Sequence, residues 1–300
     1  MKQCENRVKI EGILSEIDLV DGEFTKDGKT MPYIRGNVKI RVNYAYENKD
    51  YDIDVPVDVF VTKWTRNGTI NPAYKSMEDV KNNFVSIAAA ATLGKGEEMA
   101  DRVRITNGQL TENAFYASTG ELVCQTRITA SFINKIKKED CKPEATFINN
   151  MVVAGIIDEM DDMGEPTGNL IIRGAVVQYG DKVDIINYKV TKKSAVDYIS
   201  SNWSQGDTVH INGILNYSAK TVSTTIENDF GDPITDYRTV NVRELLIVGG
   251  SAPFSEDMAY TSEDISSALA ARKARIEATK EPKPVQKTTT AASGFSGLDF

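Results

Sequence analysis

Val8-Lys9-Ile10-Glu11-Gly12-Ile13-Leu14-Ser15-Glu16-Ile17-Asp18 opens the chain, and Met151-Val152-Val153-Ala154-Gly155-Ile156-Ile157-Asp158-Glu159-Met160-Asp161 answers it halfway along. Both stretches read apolar-x-apolar-x-Gly-Ile-apolar-x-Glu-apolar-Asp, and the second begins 143 residues after the first. A further echo follows each of them: Ile34-Arg35-Gly36-Asn37-Val38, then Ile172-Arg173-Gly174-Ala175-Val176. Two echoes in one order at nearly one displacement mark two copies of a small domain. A length of 300 residues carries the same expectation, about two domains of ~150 residues.

Within the first copy, residues 7–18 alternate apolar and polar and run into Asp21-Gly22, a turn signal. From Tyr33 to Tyr44 the alternation is strict: Ile34, Val38, Ile40, Val42 and Tyr44 share one face, and Tyr33, Arg35, Asn37, Lys39, Arg41 and Asn43 the other. Next, Ile53, Val55, Val57, Val59 and Val61 alternate with Asp52, Asp54, Pro56, Asp58 and Phe60. These are three half-buried strands of an antiparallel meander.

A helical period follows. Ser76 stands three residues before Asp79 as a capping-box start, Val80, Phe84, Ile87, Ala88 and Ala91 recur at helix spacing, and Gly94 closes the helix. Two more strand patterns, Val103–Leu110 and Leu122–Ile136, flank a hairpin with Phe115 and Tyr116. The second copy repeats the order: strand patterns at Phe147–Met160, Asn169–Tyr179 and Lys182–Val190, a short helix from Ser194, and strands from Asp207 and over Tyr237–Val248.

Five strands with a helix between the third and fourth is the order of the OB-fold, a Greek-key barrel. Gly12 and Gly155 suit the coiling of its first strand. The expected fold is therefore all-β with short helices: one barrel over residues 1–142, a second over 143–252, and a flexible tail over 253–300. In that tail Ser262 to Lys280 reads as a helical or half-helical stretch whose Ile265, Leu269 and Ile276 are too sparse for a core, and residues 281–294 have the Pro/Thr/Ser/Ala make-up of a disordered linker.

This architecture resembles the bacterial and phage single-stranded DNA-binding proteins, OB-fold proteins with a flexible tail that ends in a short acidic, hydrophobic peptide with a terminal Phe. Leu298-Asp299-Phe300 is similar to that tip, with one acid where the family has a run of them. Two barrels and a tail in one chain look more like a phage-encoded form than the one-domain bacterial form. The resemblance implies single-stranded DNA as ligand, and replication or recombination proteins (polymerase, helicase or primase) as partners of a tip formed by Phe295, Leu298, Asp299 and Phe300. The competing reading of the tip is an ordinary tail that happens to end in Phe.

On such a barrel, single strands lie across strands two and three and under the flanking loops. Bases stack on aromatics and Lys or Arg line the phosphate path. The candidate set in the first copy is Tyr33, Arg35, Lys39 and Arg41 on strand two, Lys63, Trp64 and Arg66 after strand three, and Phe115 and Tyr116 at the hairpin. Arg104, on the fourth strand where the second copy has His210, joins them. The bland alternative pairs Lys39 and Arg41 with Asp52, Asp54 and Asp58 across the sheet, and closes the barrel end with Trp64.

In the second copy the set is Arg173, Tyr179, Lys182, Tyr188, Lys192, Lys193 and Trp203, of which Trp203, at the end of a short helix, reads as core more readily than as a base contact. This less basic half is expected to bind more weakly or to serve dimer contacts in a homo-oligomer. The acidic run Asp158-Glu159-Met160-Asp161-Asp162 lacks the alternate-oxygen spacing of a calcium loop and reads as a solvated turn.

A net charge of −8 and a pI near 5.0 argue against a protein basic over its whole surface, but phosphate affinity depends on the field in a groove. No Walker loop, Gly-x-Ser-x-Gly or dinucleotide fingerprint occurs, and the one histidine cannot build the usual zinc or general-base sites. No enzymatic activity, cofactor or metal is expected. No apolar run approaches the ~18–20 residues of a membrane span, and the start lacks the apolar run of a secretory signal. Three cysteines at unrelated spacings do not suggest a disulfide framework. These features point to the cytoplasm. The adaptor alternative, barrels used for protein docking in a virion or assembly complex, stays open.

Overall fold

A computed structural model of the chain describes residues 1–26, 28–46, 49–226 and 234–280. The first copy contains β1 (Asn6–Lys26), β2 (Lys29–Tyr46), β3 (Lys49–Thr62), α1 (Pro72–Asn83), α2 (Ile87–Thr92), β4 (Arg102–Tyr116), β5 (Leu122–Thr129) and the short β6 (Asn134–Ile136). The second contains β7 (Glu144–Met160), β8 (Pro166–Val177), β9 (Val183–Val190), α3 (Lys193–Asn202), β10 (Thr208–Ile226) and β11 (Ile234–Gly250), followed by α4 (Ser262–Glu277).

Each copy closes on itself. β1 pairs with β2 and β4, β2 with β3, β4 with β5, and a parallel bridge at Asp58 and Thr129 joins β3 to β5. In the second copy β7 pairs with β8 and β10, β8 with β9, β10 with β11, and Lys189 bridges to Leu246. This is the five-stranded OB closure, twice. The alternation seen in sequence is the cause: Ile34, Val38, Ile40 and Val42 from β2 meet Ile53, Val55, Val57, Val59 and Val61 from β3 in the first interior. Gly12 is needed where β1 coils over β2, since a Cβ there would sit 2.2 Å from the Arg41 carbonyl oxygen.

The barrels are fused through their first strands. Asn6–Glu11 of β1 runs antiparallel to Glu144–Asn149 of β7, with Asn6 opposite Asn149. By the 143-residue displacement these two asparagines are each other's equivalents, so a local pseudo-twofold axis passes between them. Both are buried. Asn6 exchanges two hydrogen bonds with the Leu110 backbone (2.7 and 3.0 Å), and the Asn149 amide donates to the Tyr188 hydroxyl. At the end of this ladder Glu11, 1% exposed, accepts two bonds from Arg104 (2.6 and 3.1 Å) and one from the Lys142 amide (2.5 Å).

Three expectations are corrected. Asp21-Gly22 is not a turn: β1 continues through it to Lys26, and the chain turns at Gly28 with φ +72°. The single helix from Ser76 is two helices. Asn71 caps α1 with Pro72 in its first turn, the chain is extended at Phe84, and Ser86 starts α2 by accepting from the Ala89 amide. Finally, residues 253–280 are not a loose tail. Thr261 caps α4, and Ile265, Ala268 and Ile276 are buried against the barrels. Residues 281–300, with the expected linker and the Phe295, Leu298, Asp299 and Phe300 tip, lie outside the described residues.

Candidate nucleic-acid interface

The outer face of the first barrel is laid out by strand register. Val20 of β1 lies beside Arg35 of β2, which lies beside Phe60 of β3; one row along, Gly22, Tyr33 and Thr62 form the next line, and Phe24 faces Met31 beyond it. Three rings meet here. Phe24 and Tyr33 have centroids 5.9 Å apart, Tyr33 and Phe60 5.3 Å, and the Arg35 guanidinium stands 5.7 Å over the Tyr33 ring. Glycine at position 22 permits this, because a Cβ would come within 2.5 Å of the Tyr33 ring. Phe60 is 63% exposed and Val20 49%. A burial argument cannot account for a Phe so open on a sheet.

Basic side chains frame the rings. Lys26 and Lys29 face each other at the exposed tip of the β1–β2 hairpin. After β3 the Lys63 amide bonds back to the Pro32 carbonyl (2.8 Å), which brings the 63–71 loop beside Tyr33. The Lys63 ammonium lies 5.9 Å from both the Trp64 and Tyr74 rings, Trp64 is half-buried in a bridge to Ile70, and Arg66 is exposed at the loop tip. Tyr33, Arg35, Lys63, Trp64 and Arg66 are thus brought together.

Lys39 and Arg41 are not part of that group. Lys39 pairs with Glu16 at 2.5 Å, and Arg41 spans Asp54 and Glu97 at 3.5 Å each. Asp58 takes Arg127 at 3.2 Å. This half of the face is charge-neutralised, and the second barrel's β10–β11 hairpin runs over it. Of the cross-strand pairs expected with Asp52, Asp54 and Asp58, however, only Arg41 with Asp54 forms, Lys39 turning to Glu16 of β1 and Asp58 to Arg127 of β5. A groove of about 360 Å³ separates Lys39, Asp52, Asp54 and Pro56 from Tyr217 and Arg243. Burial pushes the Tyr217 phenol up to about 12, so that it stays neutral there.

The remaining candidates are dispersed. Arg104 is locked to Glu11 at the junction between barrels. Phe115 and Tyr116 lie on the β4–β5 hairpin, where the Lys280 ammonium sits 4.7 Å over the Tyr116 ring. In the second barrel Arg173, Lys192 and Lys193 are exposed, and Tyr179 is 75% exposed at the β8–β9 turn beside Lys182. Tyr188 and Trp203 are corrected: Tyr188 is fully enclosed against Phe147, and Trp203 is buried with its indole N–H bonded to the Ser251 carbonyl (3.1 Å). Neither ring can receive a base.

Sequence reasoning missed Phe24, Phe60, Lys26 and Lys29. Phe60 carried a usable signal, an aromatic on the same outward period as four polar or Pro positions of β3. Phe24 did not, because the Asp21-Gly22 turn signal placed it beyond the strand. At the matching positions of the second barrel, Arg173 lies beside Asn187, and Ile171 beside Lys189, which is held by Glu159 (2.7 Å) and Glu244 (2.9 Å). Among the described residues, only the first barrel has the aromatic platform.

A family model described as YorF matches residues 5–282. No curated protein matches the sequence. Among solved structures, the wild-type single-stranded DNA-binding protein from Thermus aquaticus is similar over 87% of this chain and 99% of its own, at 9% identity and a TM-score of 0.50. A deletion variant of that protein is similar over 88% and 100%, at 11% identity and a TM-score of 0.48. At 9% identity the likeness to the wild-type protein is one of fold.

Proposed function

The chain belongs to the YorF family, and from the surface of its first barrel we propose that it is a non-enzymatic single-stranded DNA-binding protein. One observation carries this reading: the joined Phe24, Tyr33 and Phe60 rings, with Phe60 open to solvent and the other two half-buried beside Arg35, framed by Lys26, Lys29, Lys63 and Arg66. Unpaired bases expose the faces such rings stack on, and each stacked base contributes about 1–3 kcal/mol. In a duplex those faces are hidden, so the platform selects single strands. The cations lie where a backbone following the bases would run. Their local field matters more than the total charge of −8.

The setting we read for this activity is phage DNA replication or recombination in the host cytoplasm. There the protein covers exposed strands, and the Phe295–Phe300 tip recruits replication enzymes. The second barrel contributes rigidity more than affinity. A titration with oligo-dT across salt concentrations tests the binding claim: tight, salt-weakened binding of the single strand and little of the matched duplex is expected. Equal affinity for both, or none at low salt, removes the reading and leaves the protein-docking adaptor. Competition between matched RNA and DNA decides which single strand is preferred.

A further inference from the structure

The two β-hairpins that project from equivalent places on the barrels differ in chemistry. The β1–β2 tip, whose sequence sets Lys26 and Lys29 among Asp21, Glu23 and Asp27, borders the aromatic platform. Its counterpart, the β7–β8 turn, carries Asp158, Glu159, Asp161, Asp162 and Glu165 within eight residues and no Lys or Arg. Only Glu159 among these is in an ion pair among the described residues. The same turn holds out apolar side chains: Met163 is 90% exposed, Met160 53% and Ile157 47%. It is also pre-shaped, since the Asp161 carboxylate accepts the Met163 and Glu165 amides (2.8 and 2.9 Å) and Gly164 turns at φ +82°.

A solvated turn explains the acids and leaves the three apolar side chains unexplained. A nucleic-acid contact is excluded by the sign of the charge. What fits is a surface that offers rings to thioethers and cations to carboxylates, because sulfur packs favourably at aromatic rings and opposite potentials select partners. This molecule has such a surface in Phe24, Tyr33 and Phe60 with Lys29, Arg35 and Arg66. We propose that the β7–β8 hairpin of one molecule docks on the first-barrel platform of a second copy. The contact joins different patches of each molecule, so it is head-to-tail and extends into open chains unless its rotation closes a ring. In its last step the inference rests on the nucleic-acid reading: an unpaired strand takes the same platform and disperses the chains.

Sedimentation velocity of the full chain at low and high salt tests it. We expect larger species to grow with concentration at low salt and vanish at high salt, where charge between exposed groups is screened. Asp162→Lys with Glu165→Lys, all exposed positions, is expected to abolish the larger species, and so is Lys29→Glu with Arg66→Glu. An equimolar mixture of the two variants restores them, because the reversed hairpin now matches the reversed platform. Unchanged thermal unfolding of both variants excludes misfolding as the cause. A wild-type chain that stays monomeric at low salt, or a mixture that fails to reassociate, overturns the proposal; a monomer would leave the hairpin to a foreign basic partner. If the chains form but oligo-dT neither binds nor disperses them, the self-association stands and the DNA-binding reading falls.

Discussion

Arg272, on a helix that leaves the second barrel, grips Glu112 on the fourth strand of the first. Its Nε donates to Glu112 Oε2 at 2.7 Å and its Nη2 to Oε1. The Glu112 side chain is 2% exposed and that of Arg272 16%. Around this pair the Glu112 amide donates to Asp184 of β9 (3.2 Å), and Arg275 reaches Asp184 at 3.4 Å. α4 thus straps both barrels by one buried, charge-assisted network, in addition to the β1–β7 ladder.

Removing one partner of this network should be costly, because it strands a buried carboxylate. Arg272→Ala is expected to lower stability by about 3 kcal/mol and to raise hydrogen exchange through α4, with β1 to β3 protected as before. Denaturant unfolding and native-state exchange read the two effects. A loss well under 1 kcal/mol would mean that apolar contacts of Ile265, Ala268 and Ile276 hold the helix alone.

Phe60→Ala separates the platform from the rest of the fold. The ring is exposed, so the melting temperature should barely move. Affinity for oligo-dT should fall about 5- to 150-fold, the equivalent of one stacked base. Asn187→Ala, at the matching place on the second barrel, should leave affinity unchanged. An equal loss from both substitutions would contradict the one-platform arrangement.

Charge distinguishes the two halves of the face. Arg66→Ala should weaken binding and reduce the slope of log affinity against log salt by about one phosphate contact. Lys39→Ala should leave that slope alone, because Glu16 already neutralises this ammonium at 2.5 Å. Salt titrations of both variants against one oligonucleotide give the comparison.

Much of this was legible in the sequence, because period-two alternation and a repeated strand report directly on which side chains share a core. The alternation of Ile53 to Val61 told where β3 was buried, and with it that Phe60 pointed outward. Local signals failed where a distant contact outweighed them. Asp21-Gly22 reads as a turn, yet its glycine serves the Tyr33 ring one strand away. Ile265 and Ile276 look too sparse for a core because their partners belong to barrels far away in sequence. Trp203 reads from its residue type as core or as a base contact, and only the packing of Gly250 and Ser251 on it decides between the two.

The junction between barrels should give the protein an acid-sensitive step. Burial pushes the Glu11 carboxyl upward, but two bonds from Arg104, the Lys142 amide and nearby positive charge outweigh it and hold the group below its ordinary value of 4.5. Glu159, beside Lys189, is shifted the same way. A carboxylate with a depressed folded-state value contributes stability above its unfolded value, and that contribution disappears as pH falls through the folded one. Asp184 has the opposite sign: burial raises it, so its protonation favours the folded chain as pH falls and offsets part of the loss. Glu11→Gln should therefore lower stability near neutral pH and flatten the decline in stability below about pH 4.5. Denaturant unfolding of both proteins from pH 7 to 3 checks this, and parallel declines would show that the Glu11–Arg104 pair does not set the acid limit.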